Sequence, residues 1–250
     1  MDCSTIDHCH DIAVSMDHIA PYNIKKVHKR SAEVQAADAL RDAIISGDIP
    51  LGARLTEISA AEQIGVSRAT IRTAFHQLVR DGLIVQVPYT GWTVMTLSAP
   101  DAWELYTLRA SLEALAARLV ARRIRDDKHA DPIRTAIDKA FQRLEKACKS
   151  GRNGDIAKED MNLHKTIVDL SGHGRLRDQY ALIQNQILIY IQSSDALVGD
   201  PETIVAQHVP LIEALLSGDE AAAIEAAVSH NEREGGILVA FLENREHAGT

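Results

Sequence analysis

Asp160, His164, His208 and His230 are the residues of this chain whose types and placement best suit chemistry. Asp160 and His164 stand one helical turn apart, and Leu163, Ile167 and Leu170 share their side, so both polar groups face inward. His208 lies between Ile204 and Ile212 on a second apolar stripe. His230 aligns with Ala223, Ala226, Ala227, Ile237 and Phe241 on the inner face of the last helical segment. Buried separately, three imidazoles and a carboxylate would each need a hydrogen-bond partner, whereas converging on one divalent cation satisfies them together. Taken singly, each histidine reads more simply as a core residue bonded to backbone, and it is the four together that point to a metal. A nitrogen-rich set with a single carboxylate suits zinc, nickel and other divalent transition metals alike.

A second constellation lies upstream. Arg68 and Arg72 stand one turn apart at the start of a helix whose core face is Ile71, Phe75, Leu78 and Val79, which leaves Arg68, Ala69, Arg72, Thr73 and His76 pointing outward. Ser67 is placed to cap that helix, Gly65-Val66 makes a tight turn before it, and Gly82 closes it. A helix from about Thr56 to Gln63 precedes the turn, with Ile58 and Ile64 as its buried side. Before that, Glu33 to Ser46 carries Val34, Ala37, Leu40, Ile44 and Ile45 on one face and stops at Gly47. Leu83 to Val87 and Trp92 to Thr96 read as strands joined by Pro88-Tyr89-Thr90-Gly91, a hairpin whose Gly91 can approach a phosphate or minor groove closely. That order is a winged helix-turn-helix over residues 31–98, with double-stranded DNA as its partner. Paired guanidiniums one turn apart match guanine edges or phosphates in the major groove. An Arg pair alone would be an ordinary solvated face, and the surrounding elements are what distinguish it.

From Ala99 onward the pattern is helical throughout. Breaks near Lys128 to Pro132, Ser150 to Gly154, Ser171 to Gly174, Gly199 to Pro201 and Ser217 to Asp219 delimit six helices, whose short loops favour an antiparallel all-α bundle over residues 99–250. The fold class is therefore mainly α, a winged helix-turn-helix followed by a bundle holding a buried metal site. Residues 1–30 are polar, contain Asp2, Asp7, Asp11 and Asp17, and read as a disordered tail; His8-Cys9-His10 could ligand a metal, but reads more simply as part of that tail.

Composition limits the function classes. At 250 residues and 46% apolar content, two cores can be built. There is no signal-peptide h-region, and the run Ile187 to Ile191 is far too short to span a bilayer, so the expected partners include no membrane and the expected location is cytoplasmic. Cys3, Cys9 and Cys148 are odd in number and irregularly spaced, which excludes a disulfide framework. With 27 basic against 35 acidic residues the net charge is −8, so no global basic field drives DNA binding and charge must act locally. Lys25, Lys26, Lys29 and Arg30 form a basic arm just before the first helix.

The run Leu40-Arg41-Asp42-Ala43-Ile44-Ile45-Ser46-Gly47, then Gly52-Ala53-Arg54-Leu55-Thr56-Glu57, then Ile64-Gly65-Val66-Ser67-Arg68-Ala69-Thr70-Ile71-Arg72, closely resembles the N-terminal domain of GntR-type bacterial regulators. The resemblance implies DNA contacts from Arg68 and Arg72, backbone or side-chain phosphate contacts near Ser67 and Thr70, and a wing contact at Gly91. Thr73 joins the DNA-binding set from its outward place on the helix, and Ala69-Thr70 and Thr73-Ala74-Phe75 depart from the relatives' pattern. Some relatives carry a further DNA-binding Arg where Ile58 or Ser59 stands here. The set Asp160, His164, His208 and His230 is similar in spacing to the metal-binding C-terminal FCD domain of the FadR branch of that family. Leu108-Arg109-x-x-Leu112-Glu113, Ser171-Gly172 and Gly218-Asp219 add to the likeness, and six helices rather than seven resemble its VanR-like variety. In such relatives the metal is commonly zinc or nickel and the effector a small organic acid, whose far carboxylate the residue matching Arg109 is thought to clamp. A surface ion pair from Arg109 to Glu113 is the other reading of that residue.

These observations lead to a ligand-responsive transcriptional regulator, in the repressor sense, and not to an enzyme. It would bind a short palindromic operator as a homodimer, since one recognition helix buries too little surface to select a site in a genome. A dication held by one carboxylate and neutral imidazoles leaves a positive pocket suited to a sugar acid or another carboxylate. Two alternatives remain. A metal-dependent hydrolase would need a general base beside bound water, and no His-Glu-x-x-His motif supplies one. A structural zinc would close the same four ligands in a tetrahedron.

Overall fold

The computed structural model describes residues 30–87, 91–126 and 130–248. The expectations made for the N-terminal tail, the basic arm as far as Lys29, and the hairpin tip at residues 88–90 lie outside these. In chain order the elements are α1 (Ala32–Ser46), β1 (Arg54–Leu55), α2 (Glu57–Ile64), α3 (Arg68–Arg80), β2 (Ile84–Val87), β3 (Gly91–Val94), α4 (Ala99–Asp126), α5 (Asp131–Ser150), α6 (Asn153–Leu170), α7 (Gly174–Asp195), α8 (Pro201–Ser217) and α9 (Glu220–Ala248).

Local chemistry sets the ends of the first three helices. Ser31, Thr56 and Ser67 each turn a side-chain oxygen onto a free amide of the first turn, at Val34, Ser59 and Thr70 respectively. Gly47 and Gly65 end α1 and α2 with φ of 83° and 78°, a backbone that L side chains seldom adopt. The strands form one antiparallel sheet in the order β1-β3-β2, with Val85 opposite Thr93 and Leu55 opposite Trp92. Strand β1 was not expected, because two residues carry no alternation to read.

One core joins α1, α2, α3 and the sheet through Leu40, Ile44, Ile71, Phe75, Leu78, Ile84, Trp92 and Val94, and Ile189 of α7 inserts into it. The other is built from all six helices α4 to α9, and α4 packs along every later helix. Three expectations about buried faces need correction. Ile58 is 53% exposed, and α2 instead buries Ala60 and Ala61. Ile58 and Ile64 are six residues apart, about 120° around a helix, so they cannot share a face. Val79 is exposed beside the buried Leu78. On α9 the buried stripe runs through Ala227, Asn231, Glu234, Leu238 and Leu242, while Ile237 and Phe241 lie at its exposed margin.

Gly235 shows how closely α4 and α9 approach, since a Cβ there would come within 2.7 Å of the Tyr106 ring carbon Cγ, whereas one on Gly236 would meet nothing. Gly236→Ala should therefore stabilise by up to about 1 kcal/mol through helix propensity. Gly235→Ala should destabilise by about 1 to 2 kcal/mol, overpacking outweighing propensity. Denaturant titrations of the two variants check the opposite signs.

Candidate metal centre and DNA-reading surface

The bundle buries a polar centre that α4, α6, α8 and α9 build together. Asp160 and His164 project from α6, His208 from α8 and His230 from α9, and all four are buried. The Nε2 atom of His164 lies 3.2 Å from that of His208 and 3.2 Å from that of His230. Asp160 lies beside them, with Oδ1 3.4 Å from His164 Nε2 and Oδ2 3.3 Å from His208 Nε2, but it shares a donor cluster with His208 and Glu234 and not with all three imidazoles. Nitrogens bound about 2.1 Å from one metal ion, on neighbouring vertices of a tetrahedron or octahedron, are separated by about 3.0 to 3.4 Å.

Surrounding groups fix the ring orientations. His208 Nδ1–H donates to the Ile204 carbonyl at 2.8 Å, so its Nε2 carries the lone pair. His164 Nδ1 lies 2.9 Å from Glu113 Oε2, and a proton on that nitrogen, facing the carboxylate, leaves the lone pair on Nε2. Two such rings meet at this separation either through a shared proton, as an N–H···N hydrogen bond, or through a cation that both ligate. Asp160 favours the cation, because both its oxygens are buried without a hydrogen-bond donor. Burial, with the Glu234 and Asp195 carboxylates nearby, raises its pKa well above the usual range. Burial, with the two other rings, lowers that of His208. The residues therefore fit a dication, which Asp160 would neutralise in part and the imidazoles would ligate as neutral rings.

Glu234, on α9 one turn after His230, was not picked out from the sequence. Its Oε1 is 3.1 Å from His230 Nε2 and its Oε2 is 3.3 Å from Arg109 Nη1, and with Asp160 and His208 it forms a second group close enough to share an ion. The i,i+4 pairing of Asp160 with His164 was the signal that a carboxylate four residues from His230 belongs to the same centre.

Arg109 pairs with Glu113, as one reading had it, but in the core rather than at the surface. It is 1% exposed, with Nε 2.8 Å from Glu113 Oε1, and its Nη2 is buried without a partner. Burial would raise the Glu113 carboxyl, yet Arg109 and His164 beside it hold it well below the usual carboxylate range. Tyr180 and Asn231 donate to it at 2.7 and 2.9 Å.

On the other surface, Arg68, Ala69, Arg72, Thr73 and His76 are all exposed on α3. Ser67 and Thr70 link their hydroxyls at 2.9 Å, and Thr73 donates to the Ala69 carbonyl at 3.2 Å. Gly91 starts β3 with φ of 96°, opposite Val87.

Comparison with known proteins matches residues 32–94 to the model of bacterial regulatory proteins of the gntR family and residues 104–233 to the FCD domain. A transcriptional repressor named for a D-xylose utilization operon of Paenarthrobacter nicotinovorans is 29% identical over 208 residues, 81% of this chain and 88% of its own. The HTH-type transcriptional regulator YdhC of Bacillus subtilis (strain 168) is 28% identical over 200 residues, 79% of this chain and 86% of its own. A solved structure described as a GntR transcriptional regulator from Rhodococcus sp. RHA1 superposes with a TM-score of 0.72 at 22% identity, covering 84% of this chain and 99% of that one.

Removing the Arg109 guanidinium would strand two buried carboxylates, so Arg109→Ala should cost about 3 to 5 kcal/mol, against about 1 kcal/mol or less for Arg122→Ala, whose pair with Glu220 is exposed. The Glu113 pKa is lowered on folding, so its contribution to stability is present above its ordinary value of 4.5 and is lost as pH falls below it. Glu113→Gln should accordingly be less stable than the parent at pH 7, by a margin that narrows below pH 4.5. Urea titrations across that range measure it, and a margin that stays constant with pH would refute the assignment.

Proposed function

The chain belongs to the GntR family of bacterial regulatory proteins and carries its FCD domain, and from that premise we propose a repressor that binds a short palindromic operator as a homodimer and responds to a small organic acid at a metal-containing pocket. That it is a transcriptional regulator, not an enzyme, follows from the family, whose members bind operator DNA. The repressor sense rests on the relative named for a D-xylose operon. Among the described residues no helix is long and apolar enough to cross a membrane.

The observation that carries the reading is the convergence of three imidazole nitrogens and an unpartnered carboxylate in the same chain as an exposed α3 bearing Arg68 and Arg72. Asp160, His164, His208 and His230 would hold the ion, zinc or nickel by donor type, with Glu234 beside them. A bound dication supplies a Lewis-acidic position for a carboxylate or hydroxyl oxygen. The chain's own residues would orient the acid. Arg109 has its Nη2 left to offer, and an incoming carboxylate would compete with Glu234 for the guanidinium. Glu113, Asp160 and Glu234 together make this pocket less positive than Asp160 alone implied, so the acid would be selected by geometry at Arg109 as much as by charge. At the other surface, Arg68 and Arg72 would read base edges or phosphates from the first two turns of α3. Ser67, Thr70, Thr73 and Gly91 would lie against the backbone.

Arg68→Ala and Arg72→Ala should each weaken operator binding by roughly 1 to 3 kcal/mol with melting unchanged, as gel-shift titration beside thermal melts would show. Elemental analysis should find a divalent ion in each wild-type protomer and a sharp loss in His208→Ala and His230→Ala. Wild-type affinity in both arginine variants would remove the DNA assignment, and full metal in a double histidine variant would remove the metal site.

A further inference from the structure

Arg72 is already engaged before any DNA arrives. Its Nε and Nη2 donate to the two oxygens of Glu57 at 2.8 Å each, while Arg68 Nη2 stands 4.0 Å from the same carboxylate. The arginine side chains are 58% and 63% exposed, and that of Glu57 only 15%. Glu57 is held on its other side. It opens α2 just after the Thr56 cap, and the Trp92 indole of β3 stands beside its carboxylate. Trp92 is itself clamped between Phe75, 5.2 Å away centroid to centroid, and the edge-on ring of His76 at 5.1 Å. The carboxylate is thus mounted on α2 beside Trp92 of the wing, and it grips a guanidinium of α3.

We propose that Glu57 is a positioning and specificity-determining residue for DNA recognition, gripping the side of the Arg72 guanidinium so that only its outer fork is offered to the groove. The inference rests on the reading of α3 as the DNA-contacting helix. A guanidinium has five N–H bonds, and side-on pairing through Nε and Nη2 uses two of them. The parallel N–H bonds of Nη1 and Nη2 at the far end remain, and these match guanine O6 and N7. An exposed ion pair adds little to stability, so a bidentate pair mounted this firmly on a reading face is not required by the fold. It has two consequences for recognition. A long side chain whose rotamers are already restrained loses less freedom on binding. A fixed negative charge beside the groove also opposes generic phosphate attraction, which lowers binding to wrong sequences. Both effects widen the gap between right and wrong DNA.

The test uses the full-length protein as purified. A duplex is selected by wild type from a library with a randomised centre, and affinities for it and for a scrambled duplex of equal composition are measured by fluorescence anisotropy. Glu57→Gln keeps the size of the side chain but turns an amide –NH2 toward one arginine donor. It should lower the selected-to-scrambled ratio about tenfold, by weakening the selected duplex while leaving the scrambled one unchanged or tighter. Glu57→Asp, which keeps the charge but withdraws the carboxylate from both nitrogens, should lower the ratio in the same way and stands in if Glu57→Gln does not fold. In an Arg72→Ala background Glu57→Asp should not lower the ratio further, and Glu57→Gln should lower it only by the tightening of the scrambled duplex that loss of the charge brings. A ratio unaltered by the Glu57 changes, or one that falls as far without Arg72, overturns the proposal. If Arg72→Ala itself leaves the ratio intact, the reading of α3 fails instead.

Discussion

Burying Glu113, Asp160, Glu234, Arg109 and the rings of His164, His208 and His230 where helices of the bundle cross is the constraint to which the rest of this structure answers. Each such group is costly to take out of water unless another meets it, and the chain meets the cost pairwise. Arg109 answers Glu113 and Glu234, Tyr180 and Asn231 complete Glu113, and His208 spends its Nδ1 on its own helix. What this pairing leaves over is specific. Both oxygens of Asp160 lack a donor, and imidazole Nε2 atoms face one another. A dication is the group that resolves these remainders at once, which is why the polar centre reads as a site and not merely as a tolerated fault in the core. The close approach of α4 to α9 over Gly235 is what brings Arg109 within reach of Glu234.

The same helices lead outward to the reading surface. Helix α7 donates Tyr180 to the polar centre and, two turns later, sends Gln186 to the Asp81 carbonyl just past the end of α3 and Ile189 into the core beneath it. Asp81 is in turn gripped by the Arg41 side chain of α1 through Nε and Nη2. One helix therefore touches both the Glu113 network and the base of α3. A change in how Glu113 and Arg109 are shared has a short packed route to α3, and a tenfold change in DNA affinity requires only about 1.4 kcal/mol of coupling.

Much of this was legible in the sequence because the relevant signals are local. Caps at Thr56 and Ser67, left-handed glycines at Gly47 and Gly65, and polar residues interrupting apolar stripes at Asp160, His164 and His208 need only a helical period to be read. The rest depended on tertiary partners. Glu113 and Glu234 lie on helices rich in charge, where the default reading of a carboxylate is a solvated one; the i,i+4 spacing from His230 hints at Glu234, and the crossing helices are what bury both. Glu57 gives no sign in the sequence that it holds Arg72 fifteen residues away. Ile58, Ile237 and Phe241 failed as core residues because an apolar side chain marks a face only when its neighbours at the helical spacing agree, and small residues such as Ala60 and Ala61 set where α2 packs.

The central claim is that the metal-containing centre and the reading helix are two ends of one device. The most direct measurement is the affinity for a selected duplex against a panel of sugar acids and dicarboxylates, with the protein metal-loaded and with it chelated. The account predicts an acid that shifts duplex affinity tenfold or more in the loaded protein and loses that effect in the chelated protein and in His208→Ala, a coupling of about 1.4 kcal/mol or more. A shift of the same size after the metal has been stripped, or duplex affinity indifferent to every acid in both states, would contradict it.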